Sequence, residues 1–120
     1  MHDVIRERIL ARAGLLLPVY SGPVLRLEDL LRSEWSEDFE ARMRARLVMG
    51  ALRYGRMHAR GKPVYDRLPS IRKRLDYYSR DGNLEHLVDA ANLCLLEYEE
   101  GVHPLKHWNA ADDGEHTKVK

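Results

Sequence analysis

Cysteine is almost absent from this sequence, in which Cys94 is the single example among 120 residues. One cysteine cannot form an intramolecular disulfide or a four-cysteine zinc site. Such a composition fits a reducing compartment, and we expect the protein in the cytoplasm. The position of Cys94 beside an apolar helix face predicts a core-side thiol of low reactivity.

Long apolar runs and an excess of one charge are also missing. The longest apolar stretch, residues 13–19, contains a glycine and a proline and is far shorter than the roughly 18 residues of a membrane span. The first eight residues alternate in charge, which is not the pattern of a signal peptide. Lysine and arginine total 20 against 19 acidic residues, a net charge of +1. We therefore expect no membrane partner, and the charge balance argues against a nucleic-acid partner.

The sequence does have helical periodicity almost throughout, with few strand signals. We predict an all-α fold, a small helical bundle of three or four main helices with an irregular apolar linker. Residues 1–108 are expected to form a single helical domain and residues 109–120 a flexible polar tail. Apolar spacing and capping residues predict helices over 3–13, 27–32, 36–54, from Pro69 to the Asp81-Gly82 turn, and over 84–100.

The helix predicted over 84–100 carries the most informative polar stripe. Glu85, Asp89 and Asn92 are spaced i, i+4 and i+7, so they share one side of that helix. Leu93 and Leu96 lie beside this stripe, which predicts partial burial. Two interpretations are open. Either the carboxylates hold a hard cation such as Mg²⁺, or they pair with arginines of neighbouring helices while the amide bonds a backbone group.

A second acidic pair, Glu37 and Glu40, lies one turn apart at the start of the helix predicted over 36–54. Two carboxylates on one helical turn could share a cation. Acids in a first helical turn are also favoured by the helix macrodipole alone. Both interpretations stay open on spacing.

Cationic and aromatic side chains cluster around the glycine-containing connection that follows this helix. Arg53 and Lys62 supply positive charge there, which suits phosphate groups, and the ring of Tyr54 could stack on a base. A solvated basic loop and a packed tyrosine are the corresponding structural alternatives.

Two segments, RARLVMGALRYG over 44–55 and EHLVDAANLCLLEYE over 85–99, resemble motifs of the all-α nucleoside triphosphate pyrophosphohydrolases. The likeness is greatest to small MazG-like and phage-type members, and it covers about residues 36–100. The resemblance implies an all-α nucleotide hydrolase. Such enzymes bind Mg²⁺ through an ExxE and an ExxD pair on facing helices and cleave between the α and β phosphates.

The resemblance also implies roles for particular residues. EDFE over 37–40 matches the ExxE pair, and Asp89 matches the last acid of the second pair. His86 stands where the family has the first acid of that pair, so an active enzyme and an inactive nucleotide-binding relative are both open. The roles implied are metal binding for Glu37, Glu40, Glu85 and Asp89, catalysis for Glu85, His86 and Asp89, and substrate binding for Arg53, Tyr54, Lys62 and Asn92.

These observations predict a Mg²⁺-dependent, MazG-like nucleotide pyrophosphohydrolase or a nucleotide-binding relative. Because so small a domain cannot enclose a nucleotide alone, we expect a homodimer built by two-fold packing of apolar helix faces. The alternative is a non-enzymatic helical protein-interaction module from a phage or other mobile element. In that case Leu93, Leu96 and Trp35 would form the partner surface, and the acidic stripe would be structural.

Overall fold

A computed structural model describes residues 24–110 of the chain, and their regular structure is entirely helical. The described helices are α1 (Leu27–Ser33), α2 (Glu37–Tyr54), α3 (Arg67–Asp81) and α4 (Leu84–Glu100). The predicted all-α class is therefore confirmed. The helix predicted over 3–13 and most of the predicted polar tail lie outside the described residues. None of the described helices is long and apolar enough to cross a membrane.

Helices α2, α3 and α4 belong to one compact unit, Ser36–Lys106. Helix α4 is central in this unit because it packs against both α3 and α2. Among the described residues the buried apolar side chains are Val88 and Ala90, both on α4, and the buried polar ones are Arg67 and Asn92. The core is thus narrow and is concentrated along one helix.

Local sequence signals set the ends of these helices. The Ser36 hydroxyl accepts a hydrogen bond from Phe39 N at 3.1 Å, and Asn83 Oδ1 accepts one from Glu85 N at 3.1 Å. Gly55 and Gly82 terminate α2 and α3 at φ angles of +99° and +70°, which L side chains rarely adopt. Helix α3 begins at Arg67, and Pro69 lies in its first turn as expected.

The second compact unit comprises the remaining residues, of which 24–35 and 107–110 are described. Helix α1 in this unit has no buried residue. Its Arg32 pairs with Asp29 across one turn at 2.9 Å, and both side chains are exposed.

Cys94 is exposed, which corrects the expectation of a core-side thiol. Helix α4 packs against α3 and α2, and this packing leaves Cys94 exposed, whereas its neighbours Leu93 and Leu95 are partly covered. The sequence pattern predicted a broad apolar face but not the side left uncovered.

Candidate ligand-binding cleft

The acidic stripe of α4 faces α2, where the guanidinium of Arg46 holds both of its carboxylates. Arg46 Nε donates to Asp89 Oδ1 at 3.1 Å, and Nη2 donates to Asp89 Oδ2 at 3.2 Å and to Glu85 Oε1 at 3.0 Å. The fork geometry of a guanidinium suits this two-oxygen contact. The hydrogen bond to Asp89 raises the pKa of Arg46, and the charges of both carboxylates add to it against the opposing effect of burial. Pairing with an arginine is therefore the arrangement in the folded chain.

Asn92 continues the same stripe and is buried. Its Nδ2 donates to the carbonyl oxygen of Met43 on α2 at 3.0 Å, as the structural interpretation of the stripe expects. Its Oδ1 is also buried but has no hydrogen-bond partner among the described residues. An unpaired buried acceptor carries a desolvation cost, so this atom is a candidate contact for a ligand donor.

The predicted metal ligands do not assemble into one site. Glu37 and Glu40 lie in the first turn of α2, and Glu40 Oε1 accepts from Arg44 Nη2 at 3.3 Å within the same helix. The Arg46 guanidinium occupies the space between Glu85 and Asp89 where a cation would lie. Within residues 24–110 there is no group of three or more His, Cys, Asp or Glu side chains that could hold a metal ion. The residues present thus do not fit the four-carboxylate Mg²⁺ site that the resemblance implies.

The predicted catalytic residues face different neighbours. His86 Nε2 lies 3.0 Å from Asp81 Oδ2 at the end of α3, and its ring lies 5.3 Å from that of Tyr77. The backbone N–H of Asn83 and the contact with His86 lower the pKa of Asp81. Glu85 and Asp89 face α2 instead, where both accept hydrogen bonds from Arg46. His86 therefore connects α4 to α3 and does not join the two acids.

A cavity of about 620 Å³ lies between α2, the connection 55–66, the first half of α3 and α4. This volume is in the range of small-molecule sites. All four predicted substrate-binding residues, Arg53, Tyr54, Lys62 and Asn92, line it, and so does Asp89, whereas Glu37, Glu40, Glu85 and His86 do not. The remaining lining includes the cations Arg46, Arg67 and Arg74, Tyr65, and an apolar floor of Leu47, Ala51, Met57, Leu93 and Leu96.

Several features of this cleft leave it open to a ligand. The Nε of Arg74 is buried without a hydrogen-bond partner among the described residues. A Cβ built at Gly50, which also lines the cleft, would meet no heavy atom within 4 Å. The rings of Tyr54 and Tyr65 are edge-to-face with centroids 6.2 Å apart. Of the five cations that line the cleft, Arg46, Lys62 and Arg67 are paired with carboxylates, which leaves Arg53 and Arg74 without a carboxylate partner among the described residues.

Glu100, which the sequence did not single out, fixes one wall of the cleft. Its Oε1 accepts from Lys62 Nζ at 2.8 Å and from Arg67 Nη2 at 2.5 Å, and its Oε2 accepts from the backbone N–H of His58 at 3.1 Å. Burial alone would raise the pKa of Glu100, but the hydrogen bonds from Lys62 and His58 and the charges of Lys62 and Arg67 lower it below its usual value. Lys62 is thus engaged in holding the connection against α4.

Sequence reasoning also missed Arg46, Arg67 and Arg74 as residues of the cleft. The available signal was the abundance of arginine in α2 and α3 beside an acid-rich α4. Spacing along a helix gives the face on which an arginine lies but not the acid that it meets on another helix. The contact of Arg67 with Glu100 joins residues 33 positions apart, and that of Arg46 with Asp89 joins residues 43 positions apart.

No family model, curated protein or solved structure matches this chain significantly. The resemblance to pyrophosphohydrolases therefore stands on the motifs at 44–55 and 85–99 and stays a prediction.

Proposed function

We propose that the cleft binds a nucleotide and that the chain is a nucleotide-binding relative of the MazG-like pyrophosphohydrolases. The observation that supports this proposal is the convergence of Arg53, Tyr54, Lys62 and Asn92 on one cavity of about 620 Å³. These residues are separated by up to 39 positions in the sequence and lie on α2, the connection and α4. Motif and composition predict nucleotide binding for these four residues.

Each part of a nucleotide has a counterpart in the cleft. Phosphate oxygens are strong acceptors, and the buried Nε of Arg74 is a donor in need of one. A ribose hydroxyl or a base amine can donate to Asn92 Oδ1, which is a buried acceptor without a partner. The Tyr54 and Tyr65 rings offer aromatic surface at the same cavity. The charges of Arg53 and Arg74, which no described carboxylate pairs, favour an anion over a neutral ligand of the same size.

The proposed binding does not require magnesium, because arginine side chains that line the cleft supply positive charge to the phosphates. Magnesium at Glu85 and Asp89 stays a prediction, and it requires the Arg46 guanidinium to leave both carboxylates. Hydrolysis by these residues stays a prediction for the same reason, since His86 is engaged with Asp81.

The test is a thermal-shift and calorimetric titration of the full chain with nucleoside mono-, di- and triphosphates, nucleosides and inorganic pyrophosphate. Each titration is run in EDTA and again in Mg²⁺. A ligand that binds only the folded form at 100 times its Kd stabilises that form by about 2.7 kcal/mol. We expect a saturable rise in Tm with a nucleotide in both buffers. If no member of the panel shifts Tm, the proposal is wrong. A rise in Tm with Mg²⁺ alone would instead support the acidic pair as a metal site.

Two variants locate the binding site. Arg74→Leu removes the unpaired donor, and Gly50→Leu places a side chain in the open part of the cavity. We expect each to weaken nucleotide binding about tenfold or more, which corresponds to about 1.4 kcal/mol. Arg72→Leu, at an exposed position of the same helix α3, is the matched control and should bind within about twofold of the parent. Unchanged affinity in both cleft variants would place the ligand elsewhere.

We further propose that two copies of the chain associate as a homodimer. Support comes from the limited core of the unit Ser36–Lys106 and from large apolar side chains that remain exposed on α2, including Val48, Met49 and Leu52. The same observation favours the second candidate function, a helical protein-interaction module. A protein that binds no nucleotide in the titrations but still self-associates would favour that module.

A further inference from the structure

Helix α2 has two apolar sides, of which the compact unit uses one. Met43 and Arg46 face α4 through the contacts with Asn92 and Asp89. At about 100° per residue, a second stripe of four residues falls within an arc of about 60° on the side nearly opposite Met43. The four are Ala41, Ala45, Val48 and Leu52, all of them exposed.

Large apolar side chains on this stripe are left in solvent. Val48 is 61% exposed and Leu52 is 86% exposed. An exposed leucine alone needs no explanation, but an apolar stripe three turns long on a helix usually marks a surface that another element covers.

We propose that this stripe is covered by the same stripe of a second copy, with the two α2 helices antiparallel about a two-fold axis. The axis passes midway between Ala45 and Val48. In this register Ala41 of one copy lies opposite Leu52 of the other, and Ala45 lies opposite Val48. Each large side chain therefore meets a small one, which makes the surface self-complementary as a two-fold interface requires.

Charge at the two ends of α2 selects the antiparallel direction and a second copy as the occupant. Glu37 and Asp38 lie in the first turn, whereas Arg53 lies in the last turn and Arg56 follows just beyond it. Antiparallel pairing places the acidic end of one copy beside the basic end of the other. Parallel pairing would place like charges together, and it would also align the two helix dipoles.

This pairing rests on the proposed homodimer and adds its surface, direction and register. The stripe contains none of the four residues assigned to the ligand, but Val48 also lines the cleft, and Arg53 serves both proposals. Self-association is therefore measured without nucleotide. The dimer and the ligand can then be tested separately.

The first experiment compares two leucine variants of the full chain by sedimentation velocity over a range of concentrations. Leu52→Gln removes a large side chain from the stripe and should raise the dimer Kd about tenfold or more. Leu84→Gln, at a leucine of α4 that is 67% exposed, is the matched control and should leave the dimer Kd within about twofold. A monomeric parent protein at every concentration overturns both the homodimer and the pairing. A dimer that is unaffected by Leu52→Gln leaves the homodimer standing and overturns this surface.

The second experiment tests the register by exchanging sizes across the interface. Ala41→Leu alone should weaken the dimer about tenfold, because two leucines then meet. The double variant Ala41→Leu/Leu52→Ala restores one large and one small side chain at each contact, so its Kd should return to within about threefold of the parent. A double variant as weak as Ala41→Leu would overturn the antiparallel register. If residues 1–23 or another protein cover the stripe instead, neither variant will change self-association, and the proposal fails.

Discussion

The contacts of Arg46 decide whether the acidic stripe forms ion pairs or is available to a metal ion. One guanidinium neutralises Glu85 and Asp89 together, and the Asp89 side chain is only 15% exposed. A carboxylate in that position is stabilised by its donors and would be costly without them. The same acid held as an empty metal ligand would instead be repelled by its neighbour Glu85.

Replacing Asp89 therefore separates these two situations. We expect Asp89→Ala to lower the free energy of unfolding by about 1–3 kcal/mol in metal-free buffer, because it removes a two-oxygen hydrogen-bonded contact with Arg46. Asp76→Ala, at an exposed position on α3, is the control and should change it by no more than about 0.5 kcal/mol. Urea unfolding measures both. Equal or greater stability of Asp89→Ala would instead indicate an unpaired acid kept for a ligand.

At the scale of helices, local signals predicted much of the structure. Ser36 and Asn83 cap the N-termini of α2 and α4 as expected, and Gly55 and Gly82 end α2 and α3. These signals act over a few residues, so they can be read without knowledge of the fold.

The contacts between helices could not be predicted in the same way. The i, i+4 spacing placed Glu85 and Asp89 on one side of α4, but the group opposite them depends on how α2 is positioned along α4. A shift of α2 by one turn would have brought Met43 or Gly50 towards the acids in place of Arg46. Glu100 was missed for the same reason, because its donors come from the connection and from α3.

Gly50, inside α2, and Gly55, which follows its last residue, should respond in opposite ways to replacement by alanine. Gly55 has φ +99° and ψ 156°, a conformation that is almost exclusive to glycine, so Gly55→Ala should destabilise the fold by about 1–3 kcal/mol. Gly50 is in the helix interior and has open space at its Cβ position, so Gly50→Ala should stabilise by up to about 1 kcal/mol. Thermal or urea unfolding of the two variants measures the difference. Destabilisation by Gly50→Ala would mean that the space beside it is filled in solution.

At the scale of the compact unit, the apolar core is small, so polar contacts do much to hold its helices together. Val88 and Ala90 are the buried apolar side chains that the structure describes. Glu100 joins three elements through Lys62, Arg67 and the backbone of His58. The connection 55–66 and the first turn of α3 are therefore held to the end of α4 by charge.

This arrangement makes the stability of the unit sensitive to acid. The pKa of Glu100 is lower in the folded chain than its usual value, so its contribution is present above the unfolded pKa of about 4.3 and is lost as the pH falls through the folded pKa. We expect Glu100→Gln to be less stable than the parent at pH 7 and the difference to shrink as the pH falls below about 4.3. Glu99→Gln, at a more exposed neighbouring position, should show a smaller difference at every pH. Unfolding free energies measured from pH 7 to pH 3 test this, and a pH-independent gap would contradict it.

The contacts of Arg46 with Glu85 and Asp89 also affect how the cleft would respond to the concentration of free divalent cation. A positive charge that is part of the polypeptide cannot be diluted away, chelated or exchanged for another ion. If the cleft takes a nucleotide, its occupancy would follow the supply of that nucleotide and be insensitive to swings in free divalent cation. A variant built to hold a metal ion at Glu85 and Asp89 would first have to lose this arginine, and with it one of the links between α2 and α4.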